Sequence, residues 1–160
     1  MQAENNQAEW ECLVCANENR LYRAALAILG SAAEAEDAVQ DAFLKYLEKR
    51  PCLNTPEDAA RWLMRVMVNG CKDQLRSAYR RHNVPLTEDF PVPGPEERQA
   101  LEELSALSPQ DRTIVHLYYY EGYAGAEIAD MLGLREGTIR SRLSRARARL
   151  RRLLQEKEEQ

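Results

Sequence analysis

Four of the chain's seven prolines, at positions 85, 91, 93 and 95, fall within HNVPLTEDFPVPGPE. Proline lacks a backbone N–H donor and holds φ at about −65°, and it pushes the residue before it toward extended backbone. No helix runs through such a stretch, so whatever the chain forms must lie on either side of it. Positions 82–97 are read as a linker, with a first domain over 1–81 and a second over 98–160. Two small domains suit a chain of 160 residues. In both halves apolar residues recur at helical spacing, and no window alternates with the two-residue period of a strand. The expected fold is all-α.

Local signals place the helices. In the first half one helix is expected over about Glu9 to Leu29. Ser31 and Glu34 have the spacing of a capping box and open a second, which should run to Arg50 before Pro51 stops it. Its buried stripe is expected to be Val39, Phe43, Tyr46 and Leu47. A third helix, about Pro56 to Arg81, offers Trp62, Leu63, Val66 and Leu75 to a core. In the second half Ser108, Pro109 and Asp111 combine a cap, a first-turn proline and an acid at the positive end of the helix dipole. That helix should end near Gly122. A short helix over Ala126 to Leu132, a turn at Gly133 and Leu134, and a long helix over Glu136 to Leu154 then make a helix-turn-helix.

The formal net charge of −4 argues against a nucleic-acid partner only until its distribution is considered. Residues 61–81 carry six bases against one acid, and residues 135–152 carry eight arginines against one acid. Residues 1–49 hold nine acids against four bases, and residues 82–134 hold ten against two. Two basic patches on an acidic body suit a protein that touches DNA at two places and something else elsewhere. The longest apolar run is too short to span a bilayer. The opening MQAENNQAEWE has no basic segment leading into an apolar one, so the cytoplasm is the expected compartment.

Cys12 and Cys15 form a CxxC, with Cys52 and Cys71 elsewhere. A zinc site needs about four ligands, and His82 and His116 are isolated, so no metal is assigned and the thiols are expected to be reduced and buried in a helical core. His116, inside IVHLYYY, is expected at the core or its boundary. No phosphate-binding loop, nucleophile–base pairing or paired catalytic carboxylates appear, so an enzyme is not expected and no cofactor is assigned.

On a wheel of about 100° per residue, Arg140, Ser141, Ser144 and Arg145 share one arc of the last helix, opposite Ile139, Leu143, Ala146 and Leu150. Such a helix buries one stripe and offers arginine and serine to a major groove. Arginine's planar fork matches the O6 and N7 acceptors of guanine, and serine bonds a base or a phosphate. A run of arginines alone is more often a solvated face. Here it occupies the second position of a helix-turn-helix and almost lacks compensating acids.

LSPQDRTIVHLYYYEGYAGAEIADMLGLREGTIRSRLSRARARLRRLL resembles the C-terminal domain of bacterial sigma factors, with EIADMLG and EGTIRSRLSRAR as its most specific pieces. NRLYRAALAILGSAAEAEDAVQDAFLKYL followed by RWLMRVMVNGCKDQLRS is similar to the N-terminal domain of the same factors, in the same order. The likeness covers about residues 10–81 and 98–154, with the linker in place of the middle domain of larger members. The chain is thus identified as similar to the extracytoplasmic-function group.

The resemblance implies partners and sites. Core RNA polymerase would dock on Asp37, Gln40, Asp41 and Leu44, and an anti-sigma factor is an expected regulator. The segment Pro51 to Arg76 would read the minus-ten promoter element: Asn54 and Thr55 from a loop after Cys52 and Leu53, with Arg65, Lys72 and Arg76, then Arg80 and Arg81, on phosphates. Asn69 fits either a base contact or a residue that holds the loop in shape. Thr138, Arg140, Ser141, Ser144 and Arg145 would read the upstream minus-thirty-five element, with Arg142, Arg147 and Arg149 on the DNA backbone and Arg151 and Arg152 extending the charge. A stand-alone helix-turn-helix regulator, or a helical protein that only occupies polymerase, is the alternative reading.

Overall fold

The computed structural model describes residues 2–80 and 104–159, and the proline-rich segment lies outside them. α1 runs over Gln2–Leu29, α2 over Ala32–Lys49 and α3 over Pro56–Arg80. α1 begins a full two turns before the expected start. Nothing in that stretch breaks a helix, and amide–carboxylate pairs one turn apart, Asn5 to Glu9 at 3.4 Å and Gln7 to Glu11 at 3.2 Å, support it.

The joints between these helices follow their sequence. Gly30 at φ 72° closes α1, its N–H bonding Leu26 O at 2.8 Å. Ser31 Oγ then accepts from Glu34 N at 3.4 Å as the cap of α2. Arg50 ends α2 at φ 41°, a left-handed conformation that donates to Tyr46 O at 2.9 Å, and Pro51 follows. Thr55 Oγ1 accepts from Asp58 N at 3.1 Å and caps α3, which starts at a proline.

Small residues set how closely α1 and α2 approach: Ala24, Ala25, Ala35, Ala38 and Ala42 are all buried between them. α3 closes the bundle with Leu63, Met64, Met67, Val68 and Cys71, each almost wholly inaccessible. Burying a side chain such as Leu63 contributes about 1.5–3 kcal/mol. At one edge Trp10 meets Phe43 at 5.8 Å and Tyr46 at 6.1 Å, and Tyr46 meets Trp62 edge-on at 5.6 Å. This aromatic row ties the exposed start of α1 to α2 and α3.

In the second half α4 (Pro109–Val115) is capped by Ser108 Oγ, which accepts from Asp111 N at 3.2 Å. The chain does not continue as plain α-helix to Gly122. A π-helical turn over His116–Tyr120 widens the coil, with Glu121 N bonding His116 O at 3.1 Å. α5 (Gly125–Leu132) ends at Gly133, φ 67°, where only glycine is unstrained, and α6 (Glu136–Glu158) follows. Its buried side is Ile139, Leu143 and Ala146, with Leu150 half-buried. No strand occurs among the described residues. None of their helices is long and apolar enough to cross a membrane.

Candidate nucleic-acid interface

α6 presents the expected row. Arg140, Ser141, Ser144 and Arg145 are exposed, and Thr138 at the first turn is partly exposed. Arg140 stands 3.8 Å from Glu136 one turn back, an exposed pair that leaves its guanidinium free to exchange partners. Arg145 Nε donates to Ser141 O at 3.4 Å. Arg149, Arg151 and Arg152 are exposed further along.

Two arginines of this helix have partners within the protein. Arg142 is half-buried and points back at α4, where Nη1 meets Asp111 Oδ1 at 2.9 Å. The pair braces α6 on α4, because at this position the side chain lies toward the core stripe. Arg147 is exposed, but its guanidinium lies 5.8 Å from the Tyr118 ring centre and 5.6 Å from that of Tyr119. Tyr119 and Tyr120, to which the sequence reading gave no role, are exposed beside the arginine face. The signal was present: three successive helical residues sweep about 200° and cannot all face inward.

In the first half, Asn54 and Thr55 are exposed in the loop before α3, with Cys52 beside them and Leu53 partly buried. Thr55 spends its oxygen on the cap and keeps its hydroxyl proton to donate. Arg65 and Arg76 are exposed, while Lys72 and Asn69 are half-buried on the same helix. The side chains of Arg80 and Arg81 lie outside the described residues. Asp37, Gln40, Asp41 and Leu44 are exposed on α2. Leu47, expected in the buried stripe, is 46% exposed. It lies about 80° around the helix from Val39, toward Leu44, so the α2 face carries two neighbouring exposed leucines rather than one.

The cysteines also correct an expectation. Cys71 is buried, but Cys12, Cys15 and Cys52 are exposed. Cys12 and Cys15 lie on the outer side of α1, whose inner side packs Trp10, Leu13 and Val14 on the bundle, and Cys52 lies in the loop before α3. Desolvation, with the Glu34 carboxylate adding to it, pushes the Cys71 thiol up to about 12. Among the described residues no cluster of three or more His, Cys, Asp and Glu could hold a metal ion.

The two groups of helices pack together through polar contacts. Arg20 on α1 reaches Glu121 Oε2 at 2.8 Å, and His116 Nε2 stands 3.5 Å from the other carboxylate oxygen. Burial alone would raise the Glu121 carboxyl, but His116 and Arg20 outweigh it and hold the group below the usual carboxylate range. Arg112 is buried and donates to Ile28 O at 3.1 Å. Desolvation lowers its pKa, and among the described residues its hydrogen-bond partner is that carbonyl. On α3, Arg61 Nε stands 3.3 Å from Glu127 Oε2, Arg65 Nη1 3.9 Å from Asp130 Oδ2, and Lys72 Nζ donates to Leu132 O at 3.2 Å.

The second helix of a helix-turn-helix thus carries an exposed arginine–serine row, and α3 carries a second group of basic residues. The sequence matches the sigma-70 region 2 family model over residues 13–81 and the sigma-70 region 4 model over residues 97–150. SigM of Mycobacterium tuberculosis, an ECF RNA polymerase sigma factor, is 36% identical over 146 residues, covering 86% of this chain and 73% of its own length. RfaY of Xanthomonas campestris pathovar campestris, a probable RNA polymerase sigma factor, is 38% identical over 157 residues. That match covers 87% of this chain and 38% of the longer relative. Among solved structures, the sigma factor RpoE of Bartonella quintana, crystallised with the anti-sigma factor NepR, aligns with a TM-score of 0.76 at 25% identity, over 95% of this chain and 98% of its own. CnrH in complex with the cytosolic domain of CnrY aligns with a TM-score of 0.70 at 26% identity, over 96% and 92%. The chain belongs to the extracytoplasmic-function RNA polymerase sigma factors of the sigma-70 family.

Proposed function

We propose that this protein binds core RNA polymerase in the cytoplasm and, as a non-catalytic specificity subunit, directs it to particular promoters. The domain limits are 1–81 for the polymerase-binding and minus-ten unit, 82–97 for the linker and 98–160 for the upstream-element unit. Asp37, Gln40, Asp41 and Leu44 form the docking face. Asn54, Thr55, Arg65, Asn69, Lys72 and Arg76 handle the minus-ten strand, and Thr138, Arg140, Ser141, Ser144 and Arg145 read the upstream element. Arg147 and Arg149 hold its backbone, and Arg142 drops out because Asp111 holds its guanidinium. The likeness to RpoE, solved with an anti-sigma factor, supports a regulator of that kind as a further partner.

The observation that carries the reading is the exposed Arg140, Ser141, Ser144 and Arg145 row opposite the buried Ile139, Leu143 and Ala146 on one helix. A bidentate arginine–guanine contact discriminates at one base pair by about 1–3 kcal/mol, whereas a phosphate contact weakens all sequences alike and lowers the salt slope by about one counterion. Holoenzymes carrying Arg140→Ala, Arg145→Ala or Arg149→Ala are compared on a promoter library randomised in the upstream element, at two salt concentrations. The first two should relax preference at a single position and the third should not. Equal losses across all sequences for all three would leave α6 as a basic surface without direct readout.

A further inference from the structure

The π-helical turn over His116–Tyr120 sets two consecutive tyrosines against one arginine of α6. Neighbouring side chains of an α-helix diverge by about 100° around the axis, and the wider coil of a π turn, bonded i to i+5, brings them closer together. Tyr118 and Tyr119 stand edge to face, their ring centres 5.0 Å apart and their planes at 81°. The Arg147 guanidinium lies 5.8 Å from one centre and 5.6 Å from the other, within reach of both rings. Tyr118 is half-buried against the core, whereas Tyr119 is 51% exposed, so the cation is held at the surface. A guanidinium attracted to ring faces keeps its N–H donors for an anion.

This clamp stands at the edge of the reading row. Arg147 comes seven residues after Arg140, so the two lie within about 20° of each other on α6 and about 10 Å apart along it. Both line a groove of about 380 Å³ with Ser144, Tyr118 and Gly125, the first residue of α5. When the second helix of a helix-turn-helix enters a major groove, the first crosses the adjoining sugar–phosphate backbone. A phosphate beside the upstream element would therefore pass this groove, between the start of α5 and the flank of α6.

We propose that Tyr118 and Tyr119 are positioning residues: they hold the Arg147 guanidinium in this groove, set to meet a single phosphate of the upstream element. The inference rests on the reading of Arg147 as a backbone contact, and it adds what fixes the side chain there. A free surface arginine has many rotamers, and the freedom it gives up on binding weakens the contact. Rings that restrict it beforehand lower that loss, as in any preorganised site. The tyrosines carry no charge of their own, yet removing their ring faces should weaken DNA binding in a salt-dependent way.

Charge counting predicts no such effect. Holoenzymes made with each full-length variant are titrated against a fluorescein-labelled promoter duplex at several salt concentrations. Arg147→Ala should lower the slope of log affinity against log salt by about one counterion. Tyr118→Leu with Tyr119→Leu should move the slope most of the way to that value and weaken binding by roughly three- to tenfold at low salt, at unchanged net charge. Tyr118→Phe with Tyr119→Phe, which keeps both ring faces, should bind as the wild type does. In the Arg147→Ala background the leucine pair should have no further effect. Tyr119→Leu alone, at the more exposed ring, should take part of the same loss, and it carries the test if circular dichroism shows the paired variant unfolded. An unchanged slope in the folded leucine variants, beside a lowered one in Arg147→Ala, would overturn the proposal and leave Arg147 on the backbone. An equal loss from the leucine pair with and without Arg147 would also overturn it, since the rings would then act without the arginine. So would weaker capture of core polymerase by the leucine pair in the absence of DNA, which would make the tyrosines a polymerase contact. If Arg147→Ala leaves the slope unchanged, the backbone assignment fails and the proposal fails with it.

Discussion

Replacing Arg142 by Ala separates a structural role for this arginine from the DNA-binding role proposed for those around it. Its Nη1 donates to Asp111 Oδ1 at 2.9 Å, and the two side chains are 31% and 25% exposed. Fully exposed ion pairs contribute about 0.2–1 kcal/mol and hydrogen bonds to charged groups about 1.5–3 kcal/mol. A pair mostly withdrawn from water should fall between, at about 1–2 kcal/mol. For a cooperative unit of this size that corresponds to a loss of about 2–8 °C in Tm. The cap on α4 is unaffected, because Ser108 bonds the backbone N–H of residue 111 rather than its carboxylate. A double-mutant cycle of Arg142→Ala and Asp111→Ala, followed by thermal unfolding, reads the coupling directly. Holoenzyme binding to a promoter at several salt concentrations reads the other possibility. The brace predicts a coupling of about 1 kcal/mol or more and an unchanged salt slope. A coupling near zero, together with a slope smaller by about one counterion, would refute it and return Arg142 to the phosphate contacts.

In the folded protein, a thiol reagent should modify Cys12, Cys15 and Cys52 promptly and Cys71 only after denaturation; fast modification of a fourth thiol would contradict its burial. Because the Cys71 pKa is raised from 9.0 to about 12, the folded state holds its proton where the unfolded chain releases it. Stability should therefore be intact below pH 9 and decline as the pH rises from there toward 12, and Cys71→Ala should flatten that decline in denaturant titrations. On α2, reversing charge at Asp37 and Asp41 together should weaken capture by core polymerase without changing the helical circular dichroism. Leu44→Ala with Leu47→Ala should weaken it further, since both leucines are exposed there; unchanged capture by the folded variants would remove this face from docking.

What was legible in the sequence is what neighbouring residues decide among themselves. The Ser31 and Ser108 caps, the left-handed Gly133 and the stripe of Ile139, Leu143 and Ala146 depend on interactions within one or two helical turns, so spacing and residue type predicted them. The exposed row on α6 followed from the same periodicity, and the order of the two family-like segments supplied the assignment. Wherever the outcome depended on which element packs against which, spacing alone did not suffice. Leu47 and the α1 cysteines have helical spacing but no neighbour to cover them. The π-helical turn turns Tyr119 and Tyr120 outward, and Asp111 holds the Arg142 guanidinium against α4. The contacts that close the molecule join residues 101, 84 and 60 positions apart, Arg20 with Glu121, Arg112 with Ile28 and Lys72 with Leu132. Nothing local distinguishes these cations from their solvated neighbours. Only the folded chain brings an acceptor within reach of each, because burial and pairing are properties of the packing rather than of the residue.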